Sequence, residues 1–367
     1  MSPSLRFPEF TGEWERCKIE DITDAVSSGK SKNHFSNGEY NLYGSTGIIG
    51  RTDKALYDGK LVLVARVGAN AGFLQIINEP CGITDNTLIL KPKGIDAFYL
   101  YYFLQHFNLN RLIFGSGQPL ITGGMLKKVK VSLGTISEQS KIVKFLSLLD
   151  ERIAVQSRLI DRLQSLIKGI NRTIFTGSGL EYSLCDVCEI RSGYSGNQLQ
   201  GGKGLGVSRI ETISAHNINL ERIGYVAPFD ASENYRLQVG DILFSNINSV
   251  EYIGNTAFID KDYNLYHGMN LLRLIPFRNV VVPFYLYILL NTNRMLKHFK
   301  TICNKAVSQA SINQKELGKT IVMLPSLEKQ KQVCNIYQAM YSKLKTEKDV
   351  LSFYQEQKRY LLRHMFI

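Results

Sequence analysis

The cysteines of Cys185-Asp186-Val187-Cys188 are spaced as a zinc or thiol-redox pair would be, so this is where the chain could first be expected to do chemistry. A structural zinc site needs two further ligands, and the sequence offers neither a second such pair nor a nearby histidine. Gly201-Gly202-Lys203-Gly204-Leu205-Gly206 is glycine-rich enough to cradle phosphate. A phosphate loop, however, places Ser or Thr directly after its lysine, and Lys203 is followed by Gly204. Asp85 and Lys91 lie on a strand-like run in the manner of nuclease residues. The histidines His34, His106, His216, His267, His298 and His364 are scattered, with none at metal spacing. There is no Asn-Pro-Pro-aromatic run for amino-methyl transfer and no Walker loop. The expectation is a chain with no catalytic site, no metal and no cofactor of its own.

What the chain has instead is polar loops beside buried strands. Short polar side chains and arginines hydrogen-bond to base edges, while lysines and arginines meet phosphates. In the first half these loops supply Lys30, Lys32, Ser45, Arg66, Asn70 and Gln118. In the second they supply Arg191, Ser195, Arg209, Asn246, Asn248, Lys305 and Gln309. Arg66, Arg191 and Arg209 are the strongest candidates for guanine or phosphate contact. Any one of these loops could equally be an ordinary solvated turn. Their recurrence at matching places in the two halves is what gives the set weight.

That recurrence reflects a repeat of the whole chain. Ile19-Glu20-Asp21-Ile22 is answered by Leu184-Cys185-Asp186-Val187, and Gly59-Lys60-Leu61-Val62-Leu63 by Gly240-Asp241-Ile242-Leu243-Phe244. Asn86-Thr87-Leu88-Ile89-Leu90-Lys91-Pro92 matches Asn270-Leu271-Leu272-Arg273-Leu274-Ile275-Pro276, and Phe98-Tyr99-Leu100-Tyr101 recurs unchanged as Phe284-Tyr285-Leu286-Tyr287. From Ile121 and Ile312 onward the offset is constant, through Gln139 and Gln330 to Phe175 and Phe366. In the second copy Asp85 becomes Met269, which an active-site role for Asp85 would not allow.

Each copy ends in a helix. After Ser137, a plausible cap, and Glu138, apolar residues fall at Ile142, Leu146, Leu149, Ile153, Ile160, Leu163, Ile167, Ile170 and Ile174, with Gln156 in the one polar slot. The second seam runs Val333, Ile336, Met340, Leu344, Leu351, Tyr354, Leu361 and Met365, broken by Glu347 and Lys358. Spacings of four and three predict that each helix buries the other, although packing of each on its own globule is an alternative. At 1.5 Å per residue such a helix runs roughly 50 Å, a rod able to hold two globules apart. Thr176-Gly177-Ser178-Gly179 is the expected flexible connection. The predicted organisation is α+β: globule 1–136, helix 137–176, globule 177–325, helix 326–367, with the helices forming an antiparallel intramolecular coiled coil.

Composition agrees with a folded protein that meets a polyanion. Hydrophobic residues make up 44% and charged residues 21%, and the net charge is +12. That excess is spread along the chain and forms no basic tail. Six irregularly spaced cysteines, the lack of a secretory leader and the lack of a long apolar run predict a cytoplasmic protein that does not engage membranes.

Leu5-Arg6-Phe7-Pro8-Glu9-Phe10 followed by Gly12-Glu13-Trp14-Glu15, two related globules, the helix opening Leu324-Pro325-Ser326-Leu327-Glu328-Lys329-Gln330 and the Met365-Phe366 ending together resemble type I restriction-modification specificity subunits. The resemblance covers essentially the whole chain. It implies two target recognition domains, each reading one half of a bipartite, asymmetric site in double-stranded DNA. It also implies helices that set the spacing and dock two methyltransferase (modification) subunits, and restriction subunits reached through the complex. Half-sites about one helical turn apart, near 34 Å, would suit such a spacer. Leu133-Gly134-Thr135-Ile136 departs from the family pattern, which has a proline here. Two other functions fit the same features: recognition for another restriction-modification type with its catalytic parts on a separate chain, and a coiled-coil adaptor.

Overall fold

The computed structural model describes residues 2–32, 38–113, 118–174, 179–199, 202–214, 217–305 and 309–367, and of 171–174 the backbone. It divides into two compact units, residues 1–159 with 347–367, and residues 160–346. Each unit holds one globule and part of both long helices. No described helix is long and apolar enough to cross a membrane.

The first unit runs β1 (Glu15–Lys18), a 3₁₀ turn (Ile19–Ile22), β2 (Thr23–Ser28), β3 (Tyr40–Gly44), β4 (Gly47–Thr52), β5 (Lys60–Ala65), β6 (Leu74–Asn78), β7 (Cys81–Ile83), β8 (Thr87–Pro92), α1 (Ala97–Phe107), α2 (Gly123–Lys127) and β9 (Lys130–Leu133), and then enters α3 (Ile136–Ile174). Its main sheet has the order β2-β8-β5-β6, every neighbour antiparallel. Because side chains alternate along a strand, Val62, Val64, Leu88 and Leu90 face α1 and join Tyr99, Leu100, Phe103 and Leu104 in the larger core. Leu61, Leu63, Ile77 and Ile89 form a second cluster with Cys81 and Ile83 of β7, flanked by Tyr43 of β3 and Tyr57. A central strand covered on both faces has to be apolar where it is covered, and β5 is so from Leu61 to Ala65. Asp96 starts α1 by accepting from the backbone N–H of Phe98 at 2.7 Å and of Tyr99 at 3.4 Å.

The second unit repeats the plan: β10 (Leu180–Ser183), α4 (Leu184–Val187), β11 (Cys188–Ser192), β12 (Leu205–Val207), β13 (Gly224–Val226), β14 (Ile242–Phe244), β15 (Ile247–Asn248), β16 (Thr256–Phe258), β17 (Leu272–Pro276), α5 (Pro283–Leu290), α6 (Asn293–Ile302), β18 (Asn304–Lys305), β19 (Ala310–Ser311), α7 (Gln314–Gly318), β20 (Ile321–Leu324) and α8 (Leu327–Met365). Its sheet, β11-β17-β14-β16, copies the first strand for strand. The equivalence reaches individual hydrogen bonds. Ile19 N–H donates to Val129 O at 3.0 Å and Leu184 N–H to Thr320 O at 2.9 Å. Asp21 accepts from Lys18 N–H at 2.8 Å and Asp186 from Ser183 N–H at 3.0 Å. Gln139 and Gln330 each donate from Nε2, at 2.9 Å, to the carbonyl five residues upstream.

Within the first unit the two helices run antiparallel. Lys358 Nζ lies 2.5 Å from Asp150 Oδ1, and Gln156 Nε2 donates to the Glu347 backbone carbonyl at 2.9 Å and to its carboxylate. Both polar breaks in the second seam are thereby accounted for. The helices also pack into the globule: Ile142, Leu146 and Leu149 share the larger core with Leu361, Met365 and Phe366, and Phe366 reaches Tyr99 at 5.3 Å between ring centroids. The coiled-coil and globule-packing alternatives thus hold together along one helix. Two sequence expectations need correction. Thr135, not Ser137, caps α3, its hydroxyl accepting from Glu138 N–H at 3.3 Å. Ile336 is 48% exposed, and its neighbour Tyr337 is fully buried. The seam here follows the packing of the α8 start on the second globule, as Leu146, the repeat equivalent of Tyr337, follows the first. Phe175 and the connection Thr176-Gly177-Ser178 lie outside the described residues.

Candidate nucleic-acid interface

Antiparallel pairing brings the ends of β2 and β5 and the starts of β6 and β8 to one end of the first sheet, with Ser28 opposite Leu88, Ala65 opposite Thr87 and Val64 opposite Leu74. The loops that follow must converge there. Arg66 donates from its backbone N–H to Asn86 O at 2.9 Å, and its Nη1 reaches Ser28 Oγ at 3.5 Å. Ser45 Oγ donates to the same Asn86 carbonyl at 3.3 Å. Gly68 N–H donates to Pro119 O at 3.0 Å, which sets the exposed Gln118 beside the Arg66 loop. A Cβ on Gly29 would fall 2.3 Å from Thr84 O, so only glycine lets the loop carrying Lys30 and Lys32 lie this close to the 84–86 turn. Lys30, Lys32 and Asn70 are exposed, and among the described residues no carboxylate is paired with Arg66, Lys30 or Lys32. Ser45, Arg66 and Gln118 are thus gathered at one sheet end, with Lys30, Lys32 and Asn70 on the loops that leave it.

The second sheet does the same with different side chains. Ile312 N–H donates to Asn246 O at 2.9 Å just as Ile121 N–H donates to Arg66 O at 2.8 Å. Asn246 therefore occupies the seat that Arg66 holds in the first globule, and both are half-buried. Asn248 Nδ2 donates to Ser245 Oγ at 3.1 Å. The small sheet β15-β19-β18 draws Asn246, Asn248, Lys305 and Gln309 together. Residues 306–308 between the last two, like 115–117 before Gln118, Gly201 of the glycine-rich run, and His34 and His216, lie outside the described residues.

The other three candidates lie on β11 and the long segment that follows it. Arg191, exposed on the edge strand β11, grips Glu189 through two hydrogen bonds of 2.7 and 2.9 Å, and this holds the Glu189 carboxyl below its ordinary range. Arg209, following β12, donates from Nε to Gln198 Oε1 at 3.0 Å. Ser195 is exposed on the loop after Tyr194. The sequence reading missed a buried pair at the heart of this globule, Arg273 Nη2 on β17 lying 2.6 Å from Asp241 Oδ2. Burial pushes the Asp241 carboxyl up, opposed by the Gln238 N–H and by Arg273. The signal was legible: Arg273 stands in an apolar run where the first copy has Ile89. Of the Cys185/Cys188 pair, Cys188 is buried, its thiol pushed up to about 12, and Cys185 is exposed. Among the described residues no group of His, Cys, Asp or Glu is placed to hold a metal ion.

Comparison with known proteins adds to this geometry. The family model described as type I restriction modification DNA specificity domain matches twice, over residues 11–165 and 180–352. The putative type I restriction enzyme MjaX specificity subunit of Methanocaldococcus jannaschii is 38% identical over 187 residues, which is 50% of this chain and 44% of that protein. The match therefore spans less than half the length of that relative. The MjaVIII specificity subunit of the same organism is 26% identical over 334 residues, 81% of this chain and 74% of that one. Among solved structures, the S subunit of the type I restriction-modification system from M. genitalium aligns over 100% of this chain and 99% of its own, at 19% identity and a TM-score of 0.67. A second, from work on assembly and conformational transition of the type I R-M system, aligns over 96% and 97% at 16% identity and a TM-score of 0.61. These two likenesses establish the shared fold.

Proposed function

The chain belongs to the family of type I restriction modification DNA specificity domains, and we propose on that premise that it is the DNA-reading subunit of such a complex and performs no catalysis itself. Each globule, 1–136 and 177–325, reads one half of a bipartite, asymmetric site in double-stranded DNA. The helices, 137–176 and 326–367, fix the interval between the halves and dock two methyltransferase subunits, and any restriction subunit joins through them. The observation that carries this is the shared seat of Arg66 and Asn246. A scaffold repeated down to its hydrogen bonds offers a guanidinium in one copy and an amide in the other. Arg pairs with the guanine O6/N7 edge and Asn with the adenine N6/N7 edge, so two such seats select different bases. Uncompensated Lys30 and Lys32 beside Arg66, and Lys305 beside Gln309, supply the phosphate contacts that hold the register.

The test is methylome sequencing of a host that expresses the chain with its cognate modification subunit. The expected result is a split motif with a fixed gap and modified adenines in both parts. A single continuous motif, or none, would overturn the proposal.

A further inference from the structure

The stretch between Gly193 and Gly240 is longer than the equivalent one between Gly29 and Gly59, and where the shorter one carries β3 and β4 it carries the two-stranded sheet β12-β13. It is held tightly. Tyr194 N–H donates to His267 O at 2.9 Å, His267 N–H donates to Tyr235 O at 2.7 Å, and a Cβ on Gly193 would fall 1.9 Å from Gly268 O. The result is an open hollow of about 780 Å³ beside the end of β11. Tyr194 and Phe229 stack in its wall with centroids 3.7 Å apart and planes 3° from parallel, and Tyr235 stands edge-on to both at 5.7 and 5.6 Å. Arg191, Arg273, Asp230 and the exposed Asn234 are among the other lining residues.

We propose that this hollow receives a nucleobase swung out of the duplex, within the half-site that the second globule reads. The inference rests on the DNA-reading function above. A double helix offers a concave site two kinds of protrusion, its phosphate ridge or an extruded base. The phosphate ridge requires uncompensated cations. Here Arg191 already holds Glu189, Arg273 already holds Asp241, and Asp230 adds negative charge. An extruded base requires aromatic surface and neutral hydrogen-bonding groups, which the ring cluster and the Asn234 amide supply. The cluster is also set in advance: a Cβ on Gly196 would lie 2.2 Å from the Tyr194 ring, so that ring is braced by backbone on one side and by Phe229 beside it.

The experiment measures binding of the full chain, in complex with its modification subunit, to duplexes carrying a single mismatch at each position of that half-site in turn. At one position other than the methylated adenine, the mismatch is expected to tighten binding about fivefold or more, because the unpairing has already been done. Phe229→Ala and Asn234→Ala are each expected to remove that gain. Asn234 is exposed, so its variant keeps the test valid if Phe229→Ala disturbs folding. Mismatches that only weaken binding, or that tighten it solely at the methylated adenine with the gain surviving both variants, would overturn the base site and leave the DNA-reading function standing. Failure of the unaltered complex to bind any bipartite site would overturn that function, and the base site with it.

Discussion

The two globules share one sheet and differ in what covers one of its faces. In the first, Cys81 and Ile83 of β7, with Tyr43 of β3 and Tyr57 before β5, lie over Leu61, Leu63 and Ile89, and the face is apolar. In the second, the equivalents of Ile83 and Ile89 are His267 and Arg273, both nearly fully buried, and the covering segment is the longer one that shapes the aromatic hollow. Elements that lead to the helices, such as β1 with β9 and β10 with β20, pair identically in both copies. The difference teaches where this fold tolerates change. Strands and helix junctions are fixed by the need to bury α1 or α5 and to launch α3 or α8. The second face and the sheet-end loops answer to no such demand, and there the copies have diverged in charge and shape.

The largest expected effect comes from forcing the second face toward the first. Arg273→Leu strands the Asp241 carboxylate in a buried site and should cost about 3–5 kcal/mol, whereas Arg273→Leu with Asp241→Leu should return close to the parent stability. Equilibrium urea unfolding reads both, and a single-variant cost below about 1 kcal/mol would show that the pair is not a structural substitute for apolar packing.

A slightly smaller effect should follow pH. Burial pushes the His267 imidazole down to about 4, while its Nε2 lies 2.9 Å from Leu271 O. The unfolded chain takes up this proton near pH 6.5, so between about 6.5 and 4 the unfolded state binds more protons and stability falls as the pH is lowered. The loss should approach about 3 kcal/mol and level off below about pH 4. His267→Phe should flatten that slope. An unchanged slope would place the acid sensitivity outside this face, since the first globule has Ile83 here and contributes no such proton.

How much of this was legible in the sequence follows from the same contrast. The repeat exposed the element order, because identical burial demands left Phe98-Tyr99-Leu100-Tyr101 and its second copy unchanged. The sequence named Arg66, Gln118, Asn246 and Gln309 on separate loops; that Arg66 meets the Gln118 segment and Asn246 the Gln309 segment follows from antiparallel strands turning at a common end. Tyr337 was legible but missed: the constant offset from Leu146 points to it, while heptad counting inside α8 alone favoured Ile336. The partner of Arg209, unlike that of Arg191, was not legible. Glu189 lies two residues away on the same strand face, but Gln198 arrives through a loop whose path no periodicity encodes. The hollow was invisible for the same reason, as Tyr194, Phe229 and Tyr235 come from irregular backbone.

The smallest change tests the central claim, that two copies of one scaffold read separate half-sites through side chains in a shared seat. Arg66→Asn leaves the sheet-end hydrogen bonds to the backbone in place and gives the first globule the residue the second already carries. A bidentate Arg contact discriminates bases by about 1–3 kcal/mol, so methylome sequencing of the variant complex should show relaxed or altered base preference at one position of one half-site, with the other half unchanged. An unaltered motif, or one changed in both halves, would contradict the account.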